Sequence, residues 1–140
     1  MDSGEIKKRL RQTVDRVRRE SVSRRQAIDD ARRDWEGVLE QATPLVRQFV
    51  QALRAERVAF TLGTPVGALR LDADRRPSDY IALSLDTARR PAAVVGQISY
   101  TRGQHVVVSE RVVAEGAAIA AITEEQVLAF LLEAVVPFVE

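Results

Sequence analysis

Between residues 57 and 113 apolar and polar side chains alternate in five short runs. In 57–62 Val58, Phe60 and Leu62 share one side, and in 66–72 Leu69 and Leu71 oppose Arg70. In 79–86 Ile81, Leu83 and Leu85 oppose Tyr80, Ala82, Ser84 and Asp86. In 92–100 Val94, Ile98 and Tyr100 oppose Val95, Gln97 and Ser99. In 105–113 Val106, Val108 and Val112 oppose His105, Val107, Ser109 and Arg111. A period of two with mixed polarity predicts strands with one buried and one wetter face. The gaps between runs carry Gly or Pro and are too short for parallel crossovers, so the five strands are expected to form an antiparallel meander. Gly96, inside the fourth run, marks a bulge or a close approach.

Residues 5–56 follow a helical pattern. A track of 13 positions alternates steps of four and three: Leu10, Val14, Val17, Ser21, Arg24, Ile28, Ala31, Trp35, Val38, Ala42, Leu45, Phe49 and Ala52. Such a period implies a seam against another helix. The seam is interrupted at Ser21 and Arg24. There, either a capping box at Ser23 and Gln26 starts a new helix, so that the first 20 residues fold back, or the helix runs on. Thr43-Pro44 is a stronger break, because Thr is a good N-cap and Pro suits the first helical position. Residues 44–56 are then a second helix or the distal part of a kinked one. Its wide apolar set suits packing across the sheet.

After the meander, residues 117–122 are a short edge strand or an extended connector. A capping box from Thr123 to Gln126 predicts a helix over 124–136, which Pro137 should end or bend. Phe138 is expected to pack down.

The fold class expected is α+β: a long N-terminal helical arm, kinked if at all near Ser21–Ser23 and at Thr43–Pro44, a five-stranded antiparallel meander, and a C-terminal helix on one sheet face. The domain division expected is an arm at 1–42 and a single α+β domain at 43–140. As one rod the arm would span roughly 57 Å, beyond a body about 30 Å across. Its apolar stripe then needs a lid, from a second copy or from its own folded-back chain. Leu10, Val14, Val17, Ile28, Trp35 and Val38 are the expected oligomer interface, and a homodimer is the expected assembly.

Composition changes little in this picture. The 140 residues suffice for one core, and the absence of cysteine excludes disulfides and thiolate chemistry. A reducing cytoplasmic location fits. The N-terminus lacks the apolar segment of a signal peptide, and no membrane association is expected. The net charge of +1 hides an asymmetry. Residues 1–35 hold 11 basic and 7 acidic side chains, whereas residues 58–140 hold 7 and 10.

Candidate chemistry is sparse. His105 is the sole histidine, and Ser109 on its strand face lies about 13 Å away, too far for a catalytic hydrogen bond. Asp72, Asp74 and Asp79 cluster near a turn without the spacing of a calcium loop. No phosphate-binding glycine motif occurs. Catalytic residues, metal ligands and cofactors are therefore not assigned. The arm is basic, but Asp15 with Arg19 and Glu20 with Arg24 fall at i,i+4, the mark of a solvated face, which argues against nucleic acid. The wetter sheet face, with Arg70, Tyr80, Ser84, Gln97, Ser99 and Arg111, is the candidate partner or ligand surface. The reading that follows is a non-enzymatic adaptor-type interaction protein. Its alternatives are a small-molecule or lipid binder, with a pocket lined by Phe60, Leu83, Ile98 and Phe130, and a nucleic-acid binder acting through the arm.

Overall fold

The computed structural model describes residues 1–139. It has the α+β architecture expected: a long N-terminal helix, a five-stranded antiparallel sheet and a C-terminal helix. Helix α1 spans Ser3–Ala55 without interruption. The strands are β1 (Phe60–Gly63), β2 (Ala68–Ala73), β3 (Tyr80–Asp86), β4 (Ala93–Arg102) and β5 (His105–Glu115), in sequence order across the sheet. Residues Gly116–Ala121 form a 3-10 turn, not a sixth strand. Helix α2 spans Glu124–Val139, with Pro137 accommodated in its last turn.

The arm is a rod, and both candidate breaks are absorbed. Asp2 caps α1 by accepting the Glu5 amide at 2.7 Å. Ser23 and Gln26 cap nothing; Gln26 bonds Asp30 instead. The Thr43 hydroxyl turns back to donate to the Leu39 carbonyl at 2.6 Å, as a mid-helix Thr does. Pro44 and Glu40, whose carbonyl loses its i+4 amide partner to the proline, are both exposed residues. Buried Ala42 and Val46 hold both flanks on the body. The helix ends in a left-handed turn at Arg57 (φ 65°), with the Val58 amide bonded to the Leu53 carbonyl at 2.9 Å. Along the arm Glu20 pairs with Arg16, not with Arg24 as the spacing had suggested.

One face of the sheet carries the core. Phe60, Leu69, Leu71, Ile81, Leu83 and Val94 are buried against Ala31, Trp35, Val38, Ala42, Val46, Val50 and Leu53 of α1 and the inner face of α2. Burial on α1 begins at Ala31, so Trp35 and Val38 pack on the body. The Phe130 ring lies over Gly96, where an added Cβ would come within 2.3 Å of it. Gly96 is thus a close approach, while the bulge falls beside it at Val94/Val95. Phe138 meets the Phe60 ring edge-on at 5.1 Å, which ties down the end of α2. Phe130 is spent over Gly96, whereas Phe60 also borders the second of the two cavities described below.

Candidate functional site

The first candidate surface is the outer half of α1. Here Leu10 is 61% and Val17 52% exposed, whereas Trp35 and Val38 farther along the same track are 2% and 7% exposed. Trp35 also donates its indole N–H to the Gly67 carbonyl at 2.8 Å, pinning α1 to the turn between β1 and β2. Trp35 and Val38 are therefore corrected as interface residues, because their own sheet covers them. Val14 and Ile28 are half-buried. At 100° per residue Ile6 (also exposed), Leu10, Val14, Val17 and Ile28 fall within one stripe. That stripe points to the same side of α1 as Trp35.

Where the arm leaves the body a cavity of about 520 Å³ opens. Ile28, Ala31 and Asp34 of α1 line one side, and Arg90, Pro91 and Ala117 line the other. Its walls are mainly apolar, and Asp34 has no ion-pair partner among the described residues.

The second surface is the open sheet face. Register places Arg70, Ala82, Gln97 and Glu110 in one row, and Asp72, Tyr80, Ser99 and Val108 in the next. The Arg70 guanidinium stacks 3.9 Å from the centre of the Tyr80 ring and pairs with Asp72 at 2.9 Å. The Tyr80 hydroxyl donates to Gln97 at 2.9 Å. Ser99 is buried and donates to the Ser78 carbonyl at 2.7 Å, so it supports the loop and does not face a partner. Ser84 lies on the same face, half-buried.

Arg111 does not join this surface. It pairs across from Gly96 on the helix-bearing face and bonds Glu133 of α2. Exposed Val106, Val108 and Val112 occupy the open face in its place. Alternation correctly separates the valines of β5 from Arg111, but it does not say which set faces the helices. At the sheet margin neither side is fully covered, so polarity loses its meaning there.

A third feature is a cavity of about 350 Å³ at the far end of the body. Arg57, Arg75 and Arg76 border it, and Phe60, Tyr100 and Phe138 supply aromatic walls. None of the three arginines has an ion-pair partner among the described residues. No sequence motif announces this cluster, because its members come from a helix end and a strand-connecting turn.

The acidic turn residues are each engaged: Asp72 with Arg70, Asp74 with Thr61 and Arg54, and Asp79 with Thr101. His105 is exposed at the start of β5. Among the described residues no three His, Asp or Glu side chains converge as a metal-ligating group, and no helix is long and apolar enough to cross a membrane. No protein-family model, curated protein or solved structure matches this chain.

Proposed function

We propose that this chain is a non-enzymatic, adaptor-type interaction protein that self-associates through the outer half of α1. A cytoplasmic location, which the cysteine-free sequence suits, is part of the same proposal. One observation carries the reading. An unbroken 53-residue helix leaves Ile6, Leu10 and Val17 bare, and a rod cannot fold back to hide them. A row of exposed apolar residues in register is costly in water and marks a binding face. The second copy is the simplest lid, since it brings the same stripe. The open sheet face, with Arg70 stacked on Tyr80 beside exposed valines, then remains for a different protein partner.

Light scattering coupled to size exclusion tests this on the full chain. A dimer is expected, and the Leu10→Ser/Val17→Ser double variant should be a folded monomer. A full-length chain that stays monomeric at high micromolar concentration overturns the reading. So does arm-dependent binding to nucleic acid that falls steeply with salt.

A second reading is favoured by the arginine-bordered cavity: binding of an anion that carries an aromatic or apolar portion. Guanidinium groups without partners suit phosphate or carboxylate, and the aromatic walls suit a flat group. Arg57→Gly separates this from a structural role. Glycine tolerates the positive φ, so the variant should be more stable by about 1 kcal/mol while losing affinity for a nucleotide probe. Unchanged thermal shifts with inorganic phosphate and nucleoside monophosphates in the parent chain would remove it.

A further inference from the structure

We infer that two copies pair their arms in opposite directions, so that Lys7 and Leu10 of one copy close the cavity at the arm–body junction of the other. This rests on the self-association reading and adds direction, register and the occupant of a site. Three observations carry it.

The first is steric. From Ala31 onward the seam side of α1 is already occupied by its own sheet and 3-10 turn. Paired helices lie about 8–10 Å apart. A parallel, in-register partner would have to run through that space from Ala31 to Ala55, with the two bodies meeting between the helices, whereas an opposed partner enters it only with its first turn. Opposed arms place the bodies at opposite ends.

The second is charge. Residues 3–19 hold seven basic and two acidic side chains, and residues 20–36 hold four basic and five acidic. A parallel pair sets the strongly basic halves side by side. An opposed pair sets each basic half against a mildly acidic one.

The third is register. Stacking the two tracks layer on layer allows Leu10 opposite Ile28, Val14 opposite Arg24 and Val17 opposite Ser21. Sliding one heptad in one direction opposes Arg24 to Lys7 in the seam. Sliding the other way opposes Leu10 to Trp35 and drives the partner two turns farther along a face that its own body covers. In the remaining register Lys7 opposes Ala31, the first position that the body covers, at the edge of the junction cavity that Asp30 and Asp34 line together with Arg24, Arg89 and Arg90. The cavity's apolar wall meets Leu10, and Lys7 lies one helical turn from Asp34, which forms no ion pair among the described residues. The junction is thus a socket completed by the second copy.

The cysteine-free chain makes the test clean. Leu10→Cys and Ile28→Cys are prepared as separate full-length variants and oxidised alone and after mixing. Facing positions of packed helices fall within disulfide reach. A shift to covalent dimer in the mixture, with little in either variant alone, is the expected result. Cross-linking of Leu10→Cys with itself means parallel arms and overturns this inference, while self-association stands. A dimer that cross-links in no combination overturns the arm-to-arm contact. A parent chain that is monomeric by light scattering overturns both readings.

Discussion

The two halves of α1 follow one rule of spacing and meet different fates. Ala31, Trp35, Val38, Ala42, Val46, Val50 and Leu53 are buried on the sheet, whereas Ile6, Leu10 and Val17 lie open. The inner half buries a wide face and adds a hydrogen bond from Trp35 to Gly67. The outer half has a narrower stripe, broken by Ser21 and Arg24. Periodicity thus says that a helix has a side to hide, and the width of that side hints at what hides it. A sheet needs a broad apolar face, while another helix needs only a seam.

The contrast can be broken by making like changes in each half. Trp35→Ala should cost roughly 3–5 kcal/mol of folding stability, by urea denaturation, because it empties a fully buried site. A loss below about 1 kcal/mol would mean that the inner half is not anchored as described. Gly96→Ala should cost about 1–3 kcal/mol, since the new methyl meets the Phe130 ring. Trimming that ring in Gly96→Ala/Phe130→Leu should recover part of the loss, and strict additivity would deny the contact. Val17→Ser in the outer half should change the stability of the dilute monomer by no more than about 0.5 kcal/mol, while weakening self-association. Arg111→Ala should cost at most about 0.5 kcal/mol, because its pair with Glu133 is exposed.

Much of the fold was legible because alternation and turn chemistry are local. The five strands, their meander order and the closing helix all followed from residues near one another in sequence, whereas the choice at Gly96 between bulge and close approach needed Phe130 from α2. The breaks within α1 were not settled. Ser23-x-x-Gln26 and Thr43-Pro44 are sound local capping signals, but neither ended the helix. For Thr43-Pro44 the reason is tertiary, because Ala42 and Val46 are clamped on the body and outweigh the proline's preference. Of the candidate sheet surface, Arg70, Tyr80, Ser84 and Gln97 gather as the pattern implied, and Ser99 joins them only as a buried support. Arg111 went to the other face. The arginine cluster at Arg57, Arg75 and Arg76 was invisible, since nothing local links those positions.

The amino-acid sequence alone determined the elements and the presence of an apolar stripe on the first helix. Those depend on side-chain period, which survives without a partner. Only the tertiary structure decided where that stripe stops being covered. Coverage is a property of what packs opposite, and the sheet, the 3-10 turn and α2 together bury α1 from Ala31 to Leu53.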